Sequence, residues 1–122
     1  MGPNEDVVRL AAENTAFRRE LMTAENVQVV LMTVPPGGEI GEEVHDHVDQ
    51  VLVFVDGEGE AILAGESSPV SPGRLVLVPA GTRHNFVNRG DRDLKLYTIY
   101  APPEHPPGTV HRTKAEADAA EH

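Results

Sequence analysis

With 122 residues, the chain can build one hydrophobic core and is too short for two ordinary domains joined by a linker. Its 20 acidic residues against 10 basic ones give a formal net charge of -10, which repels nucleic acid phosphates and anionic lipid heads and argues against both as partners. Cysteine is absent; disulfide scaffolds, thiolate zinc sites and cysteine nucleophiles are therefore excluded. Any metal must be held by His, carboxylate, amide or water, a set that suits Fe, Mn, Ni, Co, Zn or Cu.

Met1 to Asp6 is acidic where a signal peptide would be basic and then apolar. No apolar stretch approaches the roughly 20 residues that span a bilayer. A cytoplasmic protein is the expectation.

In chain order, Val7 to Ala12 fits a short helix or an edge strand. From Phe17 the pattern turns β-like: Phe17 to Thr23, a polar corner at Ala24-Glu25-Asn26, then Val27 to Val34, rich in β-branched residues. Pro35-Pro36-Gly37-Gly38 ends that strand, since proline has no amide hydrogen for a ladder. A segment carrying His45 and His47 precedes Val51 to Val55. Asp56-Gly57 then signals a hairpin into Glu60 to Ala64. Leu75 to Val78, His84 to Val87 and Leu94 to Tyr100 complete the strands. Gly/Pro punctuation about every 8 to 12 residues, with little helical periodicity, predicts an all-β sandwich or barrel.

Both parities of Val51 to Val55 and Leu75 to Val78 are apolar, so each side needs cover. A second subunit is one cover, giving a homodimer; the N-terminal strands of the same chain are the other. Ala101 to Gly108 is proline-rich and predicts a stiff connector over the surface. Thr113-Lys114-Ala115-Glu116 has the form of a capping box, so a short exposed C-terminal helix should begin near Lys114. The expected organisation is an N-terminal extension and edge strand at 1–26, a barrel at 27–101, and a connector with a short helix at 102–122.

The chemistry-bearing residues are histidines. In an unbroken strand His45 and His47 share a face with Cα atoms about 6.5 to 7 Å apart, close enough to converge on one ion. Two histidines on a solvated sheet face would have the same spacing. A second element adds weight: Gly73, five residues, Pro79-Ala80-Gly81, two residues, His84, three residues, Asn88. The Pro-Ala-Gly turn ends a buried strand and aims His84 back toward the barrel.

That second element resembles, at every specified position, the second motif of the cupin superfamily, and small single-domain members are the nearest in form. The first motif, Gly-x5-His-x-His-x3 or x4-Glu-x6-Gly, is matched less completely. His45 and His47 fit, and six residues separate Gln50 from Gly57 as the motif asks, but only two residues separate His47 from Gln50. Gly38 is one residue too far from His45 and Gly41 too near.

The resemblance covers roughly Met32 to Tyr100. It implies a cupin double-stranded β-helix, a jelly-roll-type barrel, and one divalent transition metal on His45, His47 and His84 with Gln50 at the usual Glu position. Asp49 is the rival fourth ligand. A neutral Gln50 would leave the ion's charge unbalanced, lowering affinity and raising Lewis acidity.

Glu42, Glu43, Asp46 and Asp49 make the approach acidic, or form a solvated edge. His105, His111 and His122 are expected in solvent, and Arg83 likewise. Tyr97, Thr98 and Tyr100 either line the mouth or pack the core, and Asn88 opens a turn. The implied function is a metal-dependent enzyme on a small organic molecule, a dioxygenase and thus an oxidoreductase. A sugar or sugar-phosphate isomerase or epimerase, and a non-catalytic small-molecule binding module, are the alternatives, since the fold alone names no reaction. No residue is assigned a catalytic acid or base role.

Overall fold

The computed structural model of the protein describes residues 2–120. Among these, the chain runs α1 (Val7–Glu13), β1 (Arg18–Thr23), β2 (Gln28–Val34), β3 (Asp49–Asp56), β4 (Gly59–Leu63), β5 (Glu66–Val70), β6 (Leu75–Val78), β7 (His84–Asn88), β8 (Leu94–Ala101), β9 (Val110–His111) and α2 (Lys114–Ala120). The strands form one sheet in the order β6-β3-β8-β2-β1-β9 and another in the order β5-β4-β7. Packed face to face, they make the double-stranded β-helix. No described helix is long and apolar enough to cross a membrane.

Strand parity sets the interior. Leu52 and Phe54 of β3, Val30, Met32 and Val34 of β2, Leu94 and Leu96 of β8, Ala61 of β4 and Phe86 of β7 form one buried core. Along the same inward rows the residues turn polar at one end. Phe54 and Leu52 give way to Gln50, Leu96 to Thr98 and Tyr100, Phe86 to His84, and Val30 to Gln28, and all of these polar residues are buried. The barrel thus has an apolar floor and a polar mouth.

The segment at 7–12 is helical, with Asp6 as N-cap accepting from the Arg9 N–H. It lies on the outer face of the larger sheet, where Ala11, Leu21 and Leu31 form a second cluster with Val55 and Tyr97 partly buried against it. The outer face of β3 and β8 is therefore covered from within the chain. Edge strand β6 is not: Leu75 is 62% and Leu77 56% exposed. The N-terminal segment is the cover for one and not for the other.

At the far end Thr113 Oγ1 accepts from the Glu116 N–H and starts α2, while Glu116 Oε1 accepts from the Arg112 N–H. Ala117 anchors this helix in the main core. Asn88 does open a turn, but from a buried position: its amide donates to the Val34 and Arg92 carbonyls and accepts from the Gly90 N–H. Gly57 turns at φ +84°, and a Cβ there would lie 2.4 Å from the Asp93 carbonyl oxygen, so only glycine closes this hairpin.

Candidate metal centre

Residues 39–45 run beside β7 as an irregular strand. Ile40 N donates to Phe86 O, Glu43 and His84 exchange both backbone hydrogen bonds at 2.9 Å, and Gly81 N donates to His45 O. In this extended stretch the i, i+2 rule places Glu43 and His45 on one face, opposite His84. Ligand atoms of Glu43, His45 and His84 lie within 4.8 Å of one another.

His47 is not brought to this group. Asp46 and His47 form a turn just after the extended stretch, and His47 is exposed. The same-face argument required an unbroken strand from 45 to 47, and the chain bends there. Asp49 also faces away, its Oδ1 accepting from the Ala80 N–H at 2.9 Å. Gln50 points inward, 3% exposed, directly across from Tyr100 and Val78 in the ladders.

The hydrogen bonds around the group fix which atoms remain. His45 Nδ1 stands 2.9 Å from Glu104 Oε2. A carboxylate only accepts, so Nδ1 carries a proton, and in the neutral ring Nε2 keeps a lone pair, 3.9 Å from Glu43 Oε2. His84 Nδ1 donates to the Thr82 carbonyl at 2.8 Å, and its Nε2 is likewise a bare acceptor. Gln50 Nε2 donates to Thr98 Oγ1 at 2.9 Å, turning Oε1 the other way. His45 Nε2, His84 Nε2 and Gln50 Oε1 are all buried and have no hydrogen-bond partner among the described residues.

Three buried acceptors without a protein donor are costly unless a cation or a water meets them. Two imidazoles, a carboxylate and an amide oxygen fit a divalent transition metal. Burial holds the His84 pKa below its usual value, opposed by the Thr82 hydrogen bond and assisted by His45, which keeps the ring in its ligating form. Burial also raises the Tyr100 phenol, which stands edge-on to His45 with ring centroids 6.1 Å apart.

The proline-rich segment after β8 does not run free over the surface. Gln28 clamps it: its Nε2 donates to His105 O at 2.6 Å, and its Oε1 accepts from the N–H groups of Glu104 and His105. This places Glu104 on His45 and the His105 ring 5.2 Å from Tyr100. The chain then pairs as β9 with β1. His105 and His111, expected in solvent, are instead part-buried at the mouth: His105 Nε2 is a buried atom, and His111 Nδ1 lies 3.3 Å from Arg18 Nη1. His122 lies outside the described residues. Arg83 is exposed and pairs with Glu42.

A cavity of about 420 Å³ opens beside the group, bounded by Arg18, Glu43, His45, Glu104, His105 and His111 among others.

Glu43 was legible as a spacing. Shifting the first motif two residues toward the N-terminus gives Gly37-x5-Glu43-x-His45-x4-Gln50-x6-Gly57. Every interval then fits, with Glu replacing the first His and Gln the Glu. Gly37 occupies a left-handed turn at φ +77°, which the two prolines before it set up. The His45-x-His47 pair masks this frame, because it offers the two histidines the first motif asks for.

The Cupin_2 family model, a cupin domain, matches residues 30–100. The uncharacterized protein YrkC of Bacillus subtilis (strain 168) is 45% identical over 130 residues, covering 98% of this chain and 69% of YrkC. The crystal structure of BH2720 from Bacillus halodurans superposes with a TM-score of 0.94 at 43% identity, over 97% of this chain and 96% of that one. KdgF from Halomonas sp. shares the fold, with a TM-score of 0.68 at 24% identity over 71% of this chain and 78% of its own.

Proposed function

The chain belongs to the cupin family, and from that premise we propose that it holds one divalent transition metal on Glu43, His45, His84 and Gln50 and acts on a small organic molecule in the adjoining cavity. The observation that carries this reading is the convergence of one ligand atom each from Glu43, His45 and His84 within 4.8 Å, with His45 Nε2, His84 Nε2 and Gln50 Oε1 left buried and without a partner among the described residues.

Two histidines and one carboxylate with open positions are the donor set of non-haem Fe(II) oxygenases. Oxygen-dependent chemistry, in the dioxygenase class, is therefore the form we favour. Glu43 changes the electrostatics expected from Gln50 alone, because one anionic ligand leaves the centre with a single net positive charge. A bound metal supplies redox or Lewis-acid chemistry at the positions these side chains leave open.

The chain's own residues prepare the place. Glu104 and the Thr82 carbonyl fix the imidazole tautomers, Thr98 turns the Gln50 amide, and Tyr100 stands as a neutral phenol edge-on to the His45 and His105 rings. The 104–111 segment limits access of water from above.

Oxygen uptake by protein loaded with Fe(II), Mn, Ni, Co, Zn or Cu tests the reaction. Substrate-dependent uptake with one redox-active metal supports the dioxygenase form. Turnover of sugar phosphates without oxygen uptake would replace it with the isomerase form, and no turnover in either panel would leave a binding module.

We also read the exposed Leu75 and Leu77 on edge strand β6 as the face of a homodimer. Light scattering on the wild type and on Leu75→Lys/Leu77→Lys decides this, with a dimer expected only for the former.

A further inference from the structure

Arg18 is a buried cation with no ion-pair partner among the described residues. It is 3% exposed. Its register opposite Met32 on β2 turns it toward the barrel interior. Its guanidinium lies over the Phe17 ring, 5.5 Å from the centroid. Nη1 donates to His111 Nδ1 at 3.3 Å, while Nε is buried with no hydrogen-bond partner among the described residues. Arginine does not escape by losing its proton, and its planar fork matches an oxyanion. A charge held in this state is expensive unless something pairs with it.

The same guanidinium lines the cavity that reaches Glu43 and His45. Arg18 and the 104–111 segment both fall outside residues 30–100, so most of this cavity's lining comes from the chain's flanks and not from the segment the family model matches.

We propose that Arg18 anchors the carboxylate of a small organic acid whose other end reaches the Glu43-His45-His84 group. A monoanion fits better than a phosphate dianion, because Glu43 and Glu104 line the same cavity and repel a second charge. The second attachment rests on the metal reading above; the first rests on Arg18 alone.

Calorimetric titration of pyruvate and lactate, against pyruvamide, lactamide and inorganic phosphate, tests this in wild type, Arg18→Lys and Arg18→Met, with metal content measured on the same samples. The expected result is binding of at least one acid about 30-fold tighter than the amides, lost by a similar factor in Arg18→Met and partly kept in Arg18→Lys, at unchanged metal content. In wild type the Arg18 Nε–H resonance should shift on adding that acid. This readout decides the matter even where Arg18→Met fails to fold.

Acid binding that ignores Arg18→Met, amides binding as well as acids, an unmoved Nε–H resonance, or Arg18-dependent binding of phosphate alone would overturn the proposal. The two readings part in metal-free protein. An Nε–H shift there with no metal ever bound sustains Arg18 and sinks the metal centre, whereas a full metal complement with no Arg18 dependence does the reverse.

Discussion

Glu104 holds His45 from outside the barrel: its Oε2 stands 2.9 Å from His45 Nδ1, on the side of the ring opposite the buried Nε2. This pairing fixes the tautomer and raises the basicity of the ligating nitrogen. Glu104→Ala should weaken metal binding by about 10- to 100-fold. Glu104→Gln should recover part of that loss, because an amide oxygen still accepts from Nδ1–H. Competition with a chelator of known affinity measures both.

Gln28 touches none of the proposed ligands, yet it positions Glu104 through the backbone of residues 104 and 105. Gln28→Leu, of similar volume, should cost about 2 to 4 kcal/mol of stability by stranding those backbone groups. It should also lower metal affinity, by no more than Glu104→Ala does. The double variant should bind metal no more weakly than Glu104→Ala alone, since both act through one contact. An additive loss would separate the strap from the site.

Gly57 carries the fold at a point far from the site. Gly57→Ala should destabilise the protein by about 2 to 4 kcal/mol, as the added Cβ meets the Asp93 carbonyl. Denaturant unfolding reads this directly, and the surviving folded protein should bind metal normally.

Much of this was readable in advance. Alternation and Gly/Pro punctuation placed the strands, and Pro79-Ala80-Gly81 placed His84. What was hidden depended on contacts distant in sequence. His47 and Glu43 differ only in where the chain leaves the extended conformation, and the backbone bonds from Glu43 to His84 and from Gly81 to His45 decide that. The 102–111 segment has the composition of a loose connector. Its place over the mouth depends on one buried amide, Gln28, about 77 residues away in the chain.

Burial, with Arg18, His45 and His111 nearby, lowers the His105 pKa from 6.5 to about 3. The unfolded chain therefore binds the proton first, and stability, complete above about pH 6.5, is lost as the pH falls toward 3. The slope from this one group reaches about 1.4 kcal/mol per pH unit. His84, also lowered, adds in the same direction in metal-free protein. Urea unfolding of metal-free wild type and His105→Gln between about pH 7 and pH 5 should show a flatter dependence for the variant. Parallel curves would mean that His105 is not held neutral by the fold.

The central claim is that Glu43 and His45, and not His45 and His47, meet the metal with His84. Elemental analysis of wild type, Glu43→Ala and His47→Asn, purified in parallel and incubated with the same metal, tests it most directly. About one equivalent in wild type and in His47→Asn, with a large loss in Glu43→Ala, is the expected result. Loss in His47→Asn with full retention in Glu43→Ala, or less than about 0.2 equivalents in wild type, would contradict it.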